Sequence, residues 1–331
     1  MTNLQQQRKV INMRGDGSEA NPYLPTTLSE FLSVCNRSAA YIKLTQDIDA
    51  YDDPTYVGEL TTVVRLNCQK LYADTPVAIK NVTVRASNMI WFSASNSQLT
   101  CTNIHFLNWI HKKVDNSQTI RWTNGNATGY WTISNCKFSI KIDNGSYYPL
   151  IFRKDSGSYY IYFKYCSFYF EYPEDMIRVD PTHCVLFYDG YGLSLKYCNM
   201  IIKNLSLIGS NSSGYYLLYL WQLEKTSIIF DTLKMYNPNS KIYAISATQN
   251  LTDSRISYSY IAFVNPIITS DSTLVNSVFS IGEDSLYLYE NCIYAKSDNR
   301  ITYSGKPAGV MGLTLEQLKD KEYLEGIGWL P

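Results

Sequence analysis

Apolar positions along the chain alternate, break phase once, and alternate again. The pattern reads apolar, any, apolar, any, any, apolar, any, apolar. It starts at Val77 (Val77, Ile79, Val82, Val84), Leu99 (Leu99, Cys101, Ile104, Phe106), Trp131 (Trp131, Ile133, Cys136, Phe138) and Ile161 (Ile161, Phe163, Cys166, Phe168). It returns at Leu193 (Leu193, Leu195, Cys198, Met200), Ile228 (Ile228, Phe230, Leu233, Met235), Ile256 (Ile256, Tyr258, Ile261, Phe263) and Tyr287 (Tyr287, Tyr289, Cys292, Tyr294). Successive starts lie 22, 32, 30, 32, 35, 28 and 31 residues apart. Alternation turns one side of a strand inward with a period of two. The two-residue break reverses that phase, so both halves can face one core only if the chain bends there. The residue before the resumed pattern is Asn81, Asn103, Asn135 or Asn291 in half of the copies. Asn enters the left-handed backbone region more readily than other non-glycine residues.

A third apolar run precedes most copies: Ile90-Trp91-Phe92, Ile120-Arg121-Trp122, Leu150-Ile151-Phe152, Leu217-Leu218-Tyr219 and Tyr243-Ala244-Ile245. Gly- and Asn-rich turns such as 123–129 and 154–158 fill the gaps. The expectation is an all-β, right-handed, single-stranded parallel β-helix of about three strands per coil. Stacked coils place equivalent side chains in columns about 4.8 Å apart. Cys136, Cys166 and Cys198 then share one column, and Phe106, Phe138 and Phe168 another. With further coils near residues 41–44 and 63–71 the rod is roughly 40–50 Å long. Propeller blades need roughly 40–45 residues, so the shorter period favours three strands.

An open stack exposes strand edges and an apolar cross-section, so its ends need lids. Thr27 and Glu30 form a capping-box pair before an apolar stripe of Leu28, Phe31, Leu32 and Cys35. This predicts an N-terminal lid helix, preceded by an arm over residues 1–24. A second capping box, Thr314 to Gln317, predicts a short helix over 315–324 and then a tail with Trp329. The domain expectation is an arm (1–24), a β-helix with its lid (25–300), and a C-terminal helix and tail (301–331). The tail reads as a lid, or as a docking peptide inserting Trp329 into a neighbour.

Composition narrows the function classes. Lys+Arg and Asp+Glu both total 29, which argues against a nucleic-acid binder. Charged residues make up only 18% and there are 29 tyrosines, a balance suited to an all-β chain. Residues 1–14 carry no apolar leader core, and no run approaches the ~18 apolar residues of a membrane helix. The eight cysteines, Cys35, Cys68, Cys101, Cys136, Cys166, Cys184, Cys198 and Cys292, form no CxxC pair and read as reduced core residues. The sequons at Asn126 and Asn250 read as chance in an Asn-rich chain.

The chemistry-bearing residues are sparse. Segment 171–180 brings Glu171, Glu174, Asp175, Arg178 and Asp180 together in an insertion between coils, the best local place for carboxylate chemistry. Its plainer reading is a solvated loop. Asp47, Asp49, Asp52 and Asp53 form another acidic run, and Asp231 and Glu290 read as corner residues. His105, His111 and His183 have no ligand spacing that suggests zinc. P-loop, GxSxG, HExxH and Gly-His-Gly motifs are absent. Neither a cofactor nor a metal is expected. Tyr147, Tyr148, Tyr159, Tyr160, Tyr188, Tyr191, Tyr215 and Tyr216 recur at turn–strand junctions. They are candidates for stacking on sugar rings or for a protein interface, against the alternative that Tyr simply suits half-buried strands.

The lid helix running into Tyr41-Ile-Lys-Leu44 and Asp47-Ile48-Asp49, followed by coils of about 30 residues, resembles the pectate-lyase-like β-helix superfamily over residues 25–300. Within it the chain is most similar to phage tail-spike and other virion β-helix proteins. The likeness is architectural, and its members include both enzymes and structural proteins. It implies a virion component assembled in the host cytoplasm: a tail spike, receptor-binding or head-decoration protein without catalytic activity. Expected partners are other virion proteins and host surface polysaccharide, without nucleic acid or membrane insertion. A homotrimer is also implied, although no heptads enforce one. The alternatives are a polysaccharide-depolymerising spike and a bacterial surface adhesin.

Overall fold

In a computed structural model of the chain, the structure describes residues 13–93, 99–112, 114, 119–122, 129–143, 152–154, 159–174, 184–188, 193–208, 215–220, 222–231, 234–236, 242–247, 255–257, 260–264, 267–268, 277–280, 288–290, 292–295, 310–314, 316–317 and 320–327. The molecule is a parallel β-solenoid. Every pairing between its named strands is parallel, and each strand bonds to its equivalent one coil away. Three walls enclose the core. The leading wall carries Ile42, Leu71, Cys101, Ile133, Phe163, Leu195, Leu223, Ile256 and Tyr289 in direct register. The middle wall aligns Ile48, Ile79, Phe106, Phe138, Phe168, Met200, Ile228, Ile261 and Tyr294. The closing wall stacks Val64–Leu66, Ile90–Phe92, Ile120–Trp122, Phe152–Lys154, Cys184–Tyr188, Tyr215–Leu220, Ile242–Ala247 and Ser277–Ser280.

The registers correct the sequence repeat. Between the leading and middle walls the chain bends at Asn103, Asn135, Tyr165, Tyr197 and Lys225, all at positive φ (60°, 52°, 55°, 54° and 44°). This first corner is the predicted one. Asn81 and Asn108 (φ 63° and 55°) lie in register at a second corner, after the middle wall, and Asn204 (φ 58°) bends the chain three register positions further along. The copies begun at Val77 and Ile228 therefore span bends after the middle wall: Ile79 pairs with Phe106 and Ile228 with Met200. The copy begun at Ile256 is offset by one inward position, because Ile256 pairs with Leu223 and Ile261 with Ile228. Both corners impose the same phase break, so periodicity alone cannot tell them apart. After the second corner some coils add a short strand, as at Ser206–Ile208, Lys234–Tyr236 and Ile267–Ile268.

The predicted columns are present. Phe106, Phe138 and Phe168 are fully buried and stack at 5.0 and 5.1 Å, the rung spacing of the sheet. Cys136, Cys166 and Cys198 are buried free thiols directly after the bend. Each S–H reaches the carbonyl two residues earlier (Ser134, Lys164 and Lys196, at 3.2, 3.3 and 3.3 Å). It also reaches a carbonyl on the preceding coil (Cys101, Ile133 and Phe163, at 3.6, 3.4 and 3.5 Å). Thr226 continues the column with its hydroxyl, at 2.9 Å to Glu224 O and 3.2 Å to Leu195 O. Burial pushes the thiols of Cys136, Cys166 and Cys198 well up, so they remain S–H donors. The column thus supplies weak donors to carbonyls turned inward at the bend.

At the N-terminal end, helix α1 (Leu28–Cys35) buries Leu28, Phe31, Val34 and Cys35, while Leu32 is half-exposed. Thr27 Oγ1 accepts from Glu30 N at 3.2 Å, but Glu30 reaches back to Thr26 N and Thr26 Oγ1 rather than to Thr27. Asp53, buried just past the bottom coil's second corner, accepts Ser29 N at 2.6 Å and so caps α1 from outside the helix. Residues 13–24, expected within an arm, fold against the first coil: Tyr23 N donates to Tyr41 O and Lys43 N to Tyr23 O, both at 2.9 Å. Residues 1–12 of that arm lie outside the described residues. At the C-terminal end the Thr314–Gln317 box is reciprocal, at 2.9 and 3.2 Å. Glu316 and Gln317 are helical, and residues 315, 318 and 319 lie outside the described residues. Helix α2 (Lys321–Gly326) begins on its own cap, Asp320, and Leu324 is buried.

Candidate functional site

Two surface features stand out, one at the first corner and one after the middle wall. At the first corner the left-handed bend directs its residue outward, and successive coils carry Asn103, Asn135, Tyr165, Tyr197 and Lys225. Tyr165 and Tyr197 are 58% and 40% exposed, and their rings stack at 5.0 Å with an 18° interplanar angle. Lys225 covers Tyr197 at 5.6 Å. A bulky residue in this backbone region costs about 1 kcal/mol more than Asn or Gly. The step from the short Asn135 to the tall Tyr165 leaves an aromatic ledge on a rigid wall. Beside it the Lys196–Glu224 pair closes at 2.7 Å.

After the middle wall, a cleft of about 340 Å³ opens beside Asn204. In the two preceding coils the level of Asn204 is held by Ile142 and Tyr172, both buried, and Ile142 pairs with His111, three residues beyond the Asn108 bend. Pro173 then turns the chain away. Ile110, Ile142, Tyr172 and Pro173 give the cleft an apolar back, and Lys141, Asp143, Glu171 and Glu174 form its rim, with Asn204 above. Glu171 is held on both carboxylate oxygens: Tyr169 OH donates to Oε2 at 3.0 Å and Lys141 Nζ lies 3.5 Å from Oε1. Burial, and then the bond to Glu171, raise the Tyr169 phenol above its ordinary value.

Of the carboxylates expected in segment 171–180, the structure brings Glu171 and Glu174 to one cleft. Asp175, Arg178 and Asp180 lie outside the described residues. The tyrosines expected to form one exposed set divide between walls. Tyr159 and Tyr160 lie on the leading wall (Tyr159–Lys164), whereas Tyr188, Tyr215 and Tyr216 lie on strands of the closing wall. Tyr160 is half-buried, with its ring 6.3 Å from that of Tyr162. Tyr147, Tyr148, Tyr191 and Trp329 fall outside the described residues. Sequence reasoning missed Tyr165 and Tyr197, although both hold the place that Asn takes in other copies, directly before a column cysteine. It also missed Lys141, Asp143 and Asn204, which only the turn of the coil brings to Glu171.

Of the histidines, His105 and His111 lie among the described residues and His183 lies outside them. His111 is fully buried between Thr119 Oγ1 at 3.2 Å and Ala86 O at 3.1 Å. Burial, and then Lys137, hold the His105 imidazole below its ordinary value. Among the described residues no three His, Cys, Asp or Glu side chains are arranged to hold a metal ion. No helix of the described residues is long and apolar enough to cross a membrane.

The fold defines a class, the parallel β-solenoids. Beyond that class, no family model matches the chain and no curated protein matches it. Among solved structures, a Bacteroides ovatus protein described as a "putative immunoglobulin A1 protease" is similar at 15% identity and a TM-score of 0.28. The alignment covers 94% of this chain and 89% of that one. Superposition at that level carries no functional inference.

Proposed function

We propose that the protein is a non-enzymatic virion component, a spike-like or decorating β-solenoid that presents its surface to a host glycan or a neighbouring virion protein. The observation that carries this reading is the exposed Tyr165–Tyr197 stack, held at successive left-handed corners where Asn would be less strained. Rigid, two-torsion aromatic rings make low-entropy contact surfaces, and their faces suit sugar rings or protein side chains. The test is co-sedimentation of the full chain with host surface polysaccharide, with reducing ends assayed in the same tubes. Binding without release of reducing ends is expected. The double variant Tyr165→Asn, Tyr197→Asn should weaken binding at least about tenfold. Equal binding by that variant would remove the stack from the reading.

A second reading is a depolymerising spike, favoured by the convergence of Asp143, Glu171 and Glu174 on one cleft. It requires released reducing ends that disappear in Glu171→Gln, Glu174→Gln. Against it stands the double engagement of Glu171 by Tyr169 and Lys141, which suits a fixed hydrogen-bond acceptor better than a proton-transferring group.

A further inference from the structure

Asn204 is 6% exposed, sits at φ 58° and lines the cleft. Its backbone N–H is used, donating to Asp231 O at 2.9 Å. Its side-chain amide makes no hydrogen bond among the described residues. The two left-handed asparagines that bend lower coils after the middle wall do use theirs. Asn81 Nδ2 donates to both oxygens of Asp49 at 2.9 Å, and Asn108 Nδ2 donates to Asn81 Oδ1 at 3.3 Å. The Asn204 amide is not among the fully enclosed polar atoms of the described residues, so it opens into the cleft, where a ligand can reach it. Asn204 is not needed to close the corner below it, because Tyr172 N already bonds Lys203 O at 3.0 Å.

The cleft's chemistry narrows what would satisfy that amide. Its volume lies at the small end of ligand sites, enough for one or two rings. The Asn204 amide offers a donor and an acceptor side by side. The rim carboxylates of Asp143 and Glu171 ask for donors, and Glu171 is pre-positioned by Tyr169 and Lys141. Three carboxylates against one ammonium on the rim oppose an anionic ligand. Ile110, Ile142, Tyr172 and Pro173 offer a face for C–H groups. A ring with adjacent hydroxyls on its edge and C–H groups on its face meets every one of these demands.

We infer that the cleft binds one uncharged sugar unit of a glycan, with hydroxyls bridging Asn204 and Asp143. This rests on the glycan reading above and adds a second binding position, one corner away from the tyrosine stack. The test uses the full chain and four probes, maltotetraose, cellotetraose, tetra-N-acetylchitotetraose and tetragalacturonate, with binding read by saturation-transfer NMR and calorimetry. At least one neutral probe should bind and tetragalacturonate should not. Asn204→Gly keeps the left-handed backbone while deleting the amide, and Asp143→Asn replaces the acceptor at nearly constant size. Each should weaken the neutral probe about tenfold or more, with unchanged melting temperature. Tyr165→Asn, Tyr197→Asn should leave this short-probe affinity within about twofold while weakening whole polysaccharide. Neutral binding that ignores Asn204→Gly and Asp143→Asn but falls with the tyrosine pair would overturn the cleft and keep the glycan reading. Binding of tetragalacturonate alone would overturn the cleft's neutral-sugar assignment. No binding of any probe or of whole polysaccharide would overturn both.

Discussion

The two corners solve the same bending problem in opposite ways. At the first, the bend residue points to solvent and varies from Asn to Tyr to Lys. After Asn103, whose own amide bonds Ala73 O at 2.8 Å, the next residue is the buried Ile104; in the four coils above, it is a short inward donor: Cys136, Cys166, Cys198 or Thr226. At the second, described bends use Asn throughout, and the next residue is plain bulk: Val82 or Trp109, both fully buried. Polar demand there is met from outside, by amides that bond to Asp49 or to one another. Trp109 Nε1 alone reaches in, to Ile79 O at 2.7 Å. Where inward hydrogen bonds hold the bend, the outward side chain is released for recognition. Where outward amides hold it, as at Asn81 and Asn108, the exterior is constrained, and the cleft lies further along the wall, beside Asn204.

The largest expected effect strikes the wall that both corners share. Phe138→Ala opens a hole between two stacked rings and should cost about 3–5 kcal/mol in denaturant unfolding. A loss below about 1 kcal/mol would mean that coils close independently of the column. Next comes the lid anchored beneath the second corner. Burial raises Asp53, but the bonds from Ser29 and Thr55 outweigh it and hold the carboxyl down at about 2, against an ordinary 3.8. Its contribution, roughly 2 kcal/mol, is present above pH 3.8 and is lost as pH falls toward 2. Asp53→Asn should be less stable at neutral pH and should flatten the acid limb of a pH–stability curve; an unchanged limb would place the acid sensitivity elsewhere.

A smaller effect separates the corners directly. Cys198→Ala should cost about 1–2 kcal/mol by removing the inward donor. Cys198→Thr should stay within about 0.5 kcal/mol, since Thr226 already performs that role one coil on. Equal losses in the two variants would reduce the column to packing. The smallest effect is at the outward bend. Asn135→Ala should lose about 1 kcal/mol, whereas Tyr165→Asn should be neutral or gain up to about 1 kcal/mol in thermal melting. A clear loss in Tyr165→Asn would show that the ring stabilises the wall and was not placed for a ligand.

Much of this was legible in the order of residues. Strict alternation with one phase break requires a bend between two inward-facing strands, so the solenoid, the Asn135 bend, the phenylalanine column and the N-terminal lid helix follow from local rules. The register did not follow. The 22-residue gap before Leu99 and the 35-residue gap before Ile228 were signs of slippage from one corner to the other. Aligned through Leu71, Cys101, Ile133, Phe163, Leu195, Leu223, Ile256 and Tyr289, the intervals become 30, 32, 30, 32, 28, 33 and 33 residues.

What the sequence determined by itself is therefore the kind of object: a stack of bent, alternating strands, whose inward residues must match from coil to coil because burial rewards like side chains at a fixed spacing. What only the tertiary structure decided is which residues become neighbours outside. Tyr165 meets Tyr197, and Asn204 comes to line one cleft with Glu171, across separations of about one coil. Those meetings depend on variable turn lengths that leave the inward pattern untouched. Outward residues carry no periodic constraint of their own, so the surface that would recognise a partner becomes visible only once the coils are in register.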